Sequence, residues 1–167
     1  MLTDLYLAEQ RHQISQGDIF GNIPVVRVKF PEGVPILKEI RAMLITHDCE
    51  FDKPHAAYVL ISEVRPLSEL KPESIGNIKN FKTLNTFYLP QTDGVTESYI
   101  DFRRTYQVDK SCLYDRLSKS LRFKSLTDEA RMALQRQLAI FFGYDRARKM
   151  PMIADSGSEH QYGYSKA

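Results

Sequence analysis

The feature that most constrains the fold is the uninterrupted apolar run Ala42-Met43-Leu44-Ile45, which lies within residues 36–46. A short continuous apolar run is typical of a β-strand that is buried on both faces. The β-branched, partly alternating segment 23–30 predicts a second strand, and Pro31-Glu32-Gly33 predicts a turn between the two. Further strands are predicted by residues 58–64, 85–89, 98–102 and 105–108, with the last two either paired or continuous.

After residue 110 the apolar spacing changes from that of strands to that of helices. Thr127 is a predicted N-cap of the final helix, and Gly143 is its predicted C-terminal stop. Apolar residues at helical spacing support one helix before Thr127 and one after it. They are Cys112, Leu113, Leu117 and Leu121 in the first helix, and Ala130, Leu134, Leu138 and Phe141 in the second.

Strands followed by helices predict an α+β fold, with a small, strongly bent antiparallel sheet or barrel and C-terminal helices packed on it. The chain has no internal repeat and no low-complexity linker, so residues 1–153 are predicted to form a single domain. The strand-rich part spans 16–108 and the helical part spans 111–143. Residues 154–167 are small and polar and are predicted to form a disordered tail.

The composition favours a globular protein in a reducing compartment. Of the 167 residues, 43% are hydrophobic and 26% are charged, close to the globular average. No apolar run approaches the roughly 20 residues of a transmembrane helix, and the first residues lack the pattern of a signal peptide. The two cysteines, Cys49 and Cys112, do not make a disulfide framework. We therefore expect a bacterial-type cytoplasmic protein with no membrane partner.

The positive charge is concentrated in one part of the chain. Residues 103–149 contain 12 Lys and Arg against five Asp and Glu, whereas residues 1–102 contain 10 against 14. An excess of positive charge on one face attracts polyanions, so nucleic acid is a candidate partner; an ordinary solvated helical surface is the alternative. The candidate nucleic-acid-binding residues are Arg104, Arg116, Lys119, Arg122 and Lys124.

A dense polar cluster, residues 47–55, follows the buried strand. It has three interpretations: a polar turn, a thiol site in which Cys49 is a nucleophile beside His47, or a metal site. In an extended chain His47 and Cys49 project to the same side. The metal site would use some of His47, Cys49, Asp52 and His55, although their spacing matches no standard zinc motif.

A second polar cluster lies on the predicted strand around residue 101. There Asp101 and Arg103 project from the same strand face, and such a pair can clamp a phosphate or support proton transfer. A purely structural ion pair is the alternative interpretation.

Two short motifs give a family resemblance over residues 16–46. Gly17-Asp18-Ile19-Phe20 forms a turn that enters a strand, and Arg41-Ala42-Met43-Leu44-Ile45-Thr46 is a strand that opens with arginine. Together they resemble the MazF/PemK family of toxin endoribonucleases, although Ala42 stands where that family usually has proline. The resemblance implies an SH3-like barrel, metal-free cleavage of single-stranded RNA, and a catalytic role for Arg41.

The sequence thus leaves three functions open. The first is nucleic-acid binding, with RNA cleavage as its catalytic form; the second is a non-catalytic protein-interaction module; the third is a metal- or thiol-dependent enzyme at residues 47–55. No glycine-rich phosphate loop or Gly-x-Ser-x-Gly elbow is present, and no cofactor is expected. The candidate catalytic residues are Arg41, His47, Cys49, Asp101 and Arg103.

Overall fold

The computed structural model describes residues 5–149, with side chains as far as Gly143. Within these residues it contains six strands and four α-helices, so the predicted α+β class is confirmed. The elements are β1 (Ile19–Lys29), β2 (Val34–Leu44), α1 (Asp48–Phe51), β3 (Tyr58–Pro66), α2 (Pro72–Lys79), β4 (Thr86–Leu89), β5 (Ser98–Asp109), α3 (Lys110–Ser118), β6 (Arg122–Lys124) and α4 (Asp128–Lys149).

The six strands form one antiparallel sheet in the order β4-β5-β3-β2-β1-β6. The sheet is open. Its two edge strands, β4 and β6, have four and three residues, and each pairs on one side only. A bent antiparallel sheet was one of the two predicted forms, and the closed SH3-like barrel was the other. The barrel does not form because the edge strands do not meet.

Both faces of the sheet are covered around the end of β2, which explains the apolar run in that strand. Met43 points into a core that it shares with Leu134 and Leu138 of α4. Its neighbours Ala42 and Leu44 point into a second core on the opposite face, which includes Phe51 of α1 and Leu113 of α3. All three β2 residues are at most 1% exposed. The predicted burial of this strand on both faces is therefore confirmed.

The C-terminal helix starts where the sequence predicts and ends later. The backbone N–H of Ala130 donates to the hydroxyl of Thr127 at 3.3 Å, as expected for an N-cap. The predicted stop at Gly143 is wrong, because α4 continues to Lys149. A glycine inside a helix costs only about 1 kcal/mol relative to alanine, which the rest of a long helix can offset. The predicted tail, residues 154–167, lies outside the described residues.

The helix predicted across Cys112 to Leu121 is shorter than expected. It ends at Ser118, and Ser120 takes a left-handed conformation with a φ of 55°. The chain then forms the short strand β6, which pairs with β1 through Phe20–Arg122 and Ile19–Lys124. Pairing with β1 overrides the helical spacing here. Among the described residues, no helix is both long enough and apolar enough to span a membrane.

A buried ion pair holds β6 against the start of β1. Arg122 donates to Asp18 over 3.1 Å, and the two side chains are 6% and 0% exposed. Arg122 also donates to the backbone oxygens of Gln13 and Arg11. The Asp18 carboxylate also accepts a hydrogen bond from the backbone N–H of Ser15, at 3.0 Å. Burial raises the pKa of Asp18, and its hydrogen bonds oppose that rise.

We expect Asp18→Asn to lower the free energy of unfolding by about 3–5 kcal/mol, because it leaves the buried Arg122 guanidinium without its anion. Denaturant unfolding at neutral pH measures this loss. Asp52→Asn, at an exposed aspartate, is the matched control and should change stability by less than about 0.5 kcal/mol. Equal effects of the two substitutions would contradict the role assigned to the buried pair.

Candidate functional site

The predicted site residues do not meet in one cleft. The structure separates them into three places: Arg41 on β2, His47 and Cys49 at α1, and Asp101 with Arg103 on β5. The three places differ in their contacts and in the chemistry that they can perform.

Arg41 lies on the face of the sheet that is covered by α4, at the margin of the covered area. Its guanidinium stacks on the ring of Phe123, 4.6 Å from the ring centroid. Among the described residues it has no hydrogen-bond or ion-pair partner. A guanidinium stacked in this way keeps its in-plane N–H donors free, and these donors match a phosphate or carboxylate in a bidentate pair.

A bulge in β1 makes room for the Phe123 ring. The pairing of β1 with β2 is interrupted between Phe20 and Ile23, which leaves Gly21 and Asn22 in the bulge. A Cβ on Gly21 would lie 2.4 Å from a ring carbon of Phe123, so glycine is required for this close approach. Asn22 has a φ of 53°, and its backbone oxygen accepts a hydrogen bond of 2.8 Å from Arg116.

Arg41 borders a polar cavity of about 330 Å³. Five strands (β1, β2, β3, β5 and β6) and the turn between β4 and β5 contribute to its walls. The polar side chains that line it, besides Arg41, belong to Asn22, Glu39, Thr96 and Ser98. Cavities that bind small ligands start at roughly 300 Å³, so this one can take a single nucleotide-sized group.

Glu39 is the residue that the sequence interpretation missed. It lies two positions before Arg41 on β2, which places both side chains on the same strand face, and both line the cavity. Glu39 is exposed and has no ion-pair partner among the described residues. The signal in the sequence was the i, i+2 spacing of a carboxylate and an arginine, the same spacing that drew attention to Asp101 and Arg103.

His47 and Cys49 lie close together, as predicted, but at the start of a short helix and not in an extended chain. His47 is the extended N-cap of the short helix α1 and accepts a hydrogen bond from the Cys49 N–H at 3.3 Å. Its Nδ1 atom lies 3.1 Å from the Cys49 Sγ atom, and both side chains are exposed. Asp48 points the other way, to the Gln16 backbone and to Arg131 of α4.

The metal interpretation of residues 47–55 has no support in the described part of the chain. There, no group of three or more His, Cys, Asp or Glu side chains is arranged to hold a metal ion. The thiol interpretation retains the contact between His47 and Cys49. The polar-turn interpretation is also partly met, because α1 is a single helical turn.

Asp101 and Arg103 form a closed pair. The Arg103 guanidinium donates to both Asp101 oxygens, at 3.0 and 2.8 Å, and the Arg103 backbone N–H adds a third bond. Burial acts to raise the pKa of Asp101, but these bonds outweigh it and the pKa is lowered. A carboxylate that is held ionised by its own arginine is a poor general base. The geometry is that of a structural pair.

The predicted basic residues do not form one free positive surface. Arg122 is buried against Asp18, and both Arg116 and Lys119 pair with Asp115 on α3. Arg104 is exposed on β5, and Lys124 is half-buried on β6. Much of the local positive charge is therefore neutralised within the fold.

A larger cavity of about 1130 Å³ lies between α4 and the connection from α2 to β4. Most of its lining is apolar, including Phe81, Leu84, Met132 and Ile140. It contains none of the predicted site residues and no carboxylate or imidazole. The smaller cavity at Arg41 is therefore the better candidate for polar chemistry.

Comparison with known proteins adds no family assignment. No protein-family model matches the chain, and no curated protein matches it. The function of the chain is therefore inferred from the geometry of these three places.

We expect Cys49 to react with a disulfide reagent such as DTNB at least about tenfold faster than Cys112, because thiol reactivity follows exposure and thiolate character. Cys49 is exposed beside His47, whereas Cys112 is half-buried and burial raises its pKa. Stopped-flow absorbance of the native protein measures both rates. Cys49→Ser should abolish the fast phase and Cys112→Ser should keep it; an inert Cys49 would remove the thiol-enzyme interpretation.

Proposed function

We propose that the protein binds single-stranded RNA, with a phosphate held by Arg41 and the adjoining nucleotide in the polar cavity. The observation that supports the proposal most directly is the orientation of Arg41 and its set of free hydrogen-bond donors. Its guanidinium is oriented by Phe123, borders a cavity and has no hydrogen-bond or ion-pair partner among the described residues. An oriented arginine with free donors is suited to bind a phosphate.

The cavity walls fit a nucleotide better than a bare anion. The amide of Asn22 and the hydroxyl of Thr96 offer both donors and acceptors, which can read the edge of a base, whereas the Ser98 hydroxyl donates to the Thr96 carbonyl oxygen. A base must unstack to enter such a cavity, and the free energy of unstacking is small in a single strand. Duplex nucleic acid would keep its bases out of reach.

Cleavage of the bound RNA also needs a general base, and Glu39 can serve as that base. A carboxylate beside a phosphate site is repulsive unless it accepts a proton, and the ribose 2′-hydroxyl can provide one. The 2′-oxygen would then bond to phosphorus as the bond from phosphorus to the 5′-oxygen breaks. Glu39 takes the 2′ proton, the leaving 5′-oxygen takes a proton from water, and Arg41 stabilises the charged phosphorane. The products are a 2′,3′-cyclic phosphate and a 5′-hydroxyl.

The interaction-module alternative is favoured by a different observation. The hairpin formed by β1 and β2 exposes large apolar side chains, including Val28, Phe30 and Leu37. These side chains carry no charge and no hydrogen-bond donor for a phosphate. A protein without measurable affinity for RNA at low salt would leave this alternative as the better account.

For RNA binding, we expect Arg41→Ala to weaken affinity by about tenfold to a hundredfold, because a charge-assisted hydrogen bond contributes about 1.5–3 kcal/mol. Fluorescence anisotropy with a labelled mixed-sequence 12-nucleotide RNA at low salt measures the affinity. Arg104→Ala removes the same charge from an exposed site on β5 and is the matched control. Equal losses would mean non-specific attraction, and no loss in Arg41→Ala would refute the site.

For RNA cleavage, we expect Glu39→Gln to abolish the appearance of 2′,3′-cyclic phosphate ends while RNA affinity changes less than threefold. Gel analysis of end-labelled RNA, with single 2′-deoxy substitutions, measures the reaction. A 2′-deoxy nucleotide should block cleavage at its own position in the wild-type protein. Binding without any cleavage by the wild type would restrict the function to RNA binding.

A further inference from the structure

The hairpin of β1 and β2 extends beyond the rest of the sheet. We call residues 24–38 the arm. Within the described residues β2 pairs with β3 only at Ala42, Met43 and Leu44, and β1 pairs with β6 only at Ile19 and Phe20. The strands of the arm pair only with each other. Two-stranded hairpins are marginally stable in water unless something packs on them.

One face of the arm is entirely apolar. The register places Val26 opposite Leu37, and Val28 opposite Pro35, with all four side chains on the same face. Phe30 follows at the tip. Val26, Val28, Leu37 and Phe30 are 61%, 66%, 72% and 89% exposed. This face is the outward continuation of the side of β2 that carries Met43, beyond the reach of α4.

Contacts on the opposite face fix the direction of the arm. Glu63 of β3 is 6% exposed and forms ion pairs with Arg27 and Lys38 of the arm. Arg27 also donates to the hydroxyl of Tyr106 at 2.8 Å. The arm is thus anchored from one side, and its apolar face is held outward in a defined orientation.

The size of this face points to a protein interface. Side chains this exposed contribute several hundred Å² of apolar surface, which is at the upper end of what a monomer leaves uncovered. The arm can therefore supply much of the roughly 800 Å² per partner that a stable interface buries. Apolar burial of this size is worth many kcal/mol before the cost of association is subtracted.

The absence of charged side chains on this face favours a partner whose own surface is uncharged. In a two-fold dimer the same patch meets itself, so a patch without charge is self-complementary, whereas a charge close to the axis would face its own copy. From Val26 to the tip the face carries none; Glu39 is the first charged side chain, at the base. Binding of a nucleic acid would require cations here, and the described residues of the arm place none on this face. We propose that the apolar face of the arm packs on the same face of a second copy of the chain. This proposal is independent of RNA binding.

Sedimentation velocity of the full chain between 1 and 100 μM tests the proposal. We expect a monomer–dimer equilibrium, and Leu37→Glu should raise its dissociation constant at least tenfold. Ile36→Glu is the matched control: Ile36 is the neighbouring arm residue on the opposite face, and its substitution should leave the dimer intact. Circular dichroism melting checks that both variants are folded.

Three results would overturn the proposal: a wild-type monomer at 100 μM, a dimer that survives Leu37→Glu, or equal dissociation in both variants. A monomer that binds lipid vesicles would point to a membrane surface instead, and would also overturn it.

If Leu37→Glu does not fold, cross-linking replaces it. In a Cys49→Ser background, Val28→Cys should form an intermolecular disulfide on mild oxidation and Ile36→Cys should not; the reverse pattern would exclude this face.

Discussion

The buried pair of Asp18 and Arg122 is the interaction on which the rest of the structure depends. It joins the turn before β1 to β6, which are more than 100 residues apart in the chain. Because a buried charge is costly unless it is paired, the two segments can only come together in the arrangement that satisfies both. The donors of Arg122 also hold the backbone of residues 11–13, so the same pair positions the N-terminal segment. The Gly17-Asp18 motif thus has a structural explanation in this chain.

The candidate site follows from that arrangement. Once Arg122 is held by Asp18, the next residue, Phe123, lies over the β1 bulge, where Gly21 leaves room for its ring. Phe123 in turn supports the Arg41 guanidinium. The position of the Arg41 guanidinium therefore depends on Phe123, whose own position depends on the buried ion pair and on the absence of a Cβ at Gly21. The chemistry proposed for Arg41 depends on a strand of three residues, β6, that the sequence did not predict.

The sequence predicted much of the fold and less of the site. The strands around residues 23–30, 36–46 and 58–64, the turn between the first two, and the start of the last helix were all readable, because local apolar patterning dominates there. The end of that helix was missed because the rest of a long helix can offset a single glycine. For the site, Arg41 was identified through the family resemblance, and His47 with Cys49 through local spacing. Glu39 was overlooked, although it has the spacing that selected Asp101 and Arg103.

By itself the sequence determined the α+β class, the strand buried on both faces and the position of the C-terminal helix, since these depend on periodicities of a few residues. Only the tertiary structure decided which polar residues are free to act. It paired Asp101 with Arg103, buried Arg122, and paired Arg116 and Lys119 with Asp115. Among the described residues it left Arg41 and Glu39 without a hydrogen-bond or ion-pair partner. The physical reason is that an ion pair depends on distance in space, and these side chains come from strands and helices that only the fold brings together.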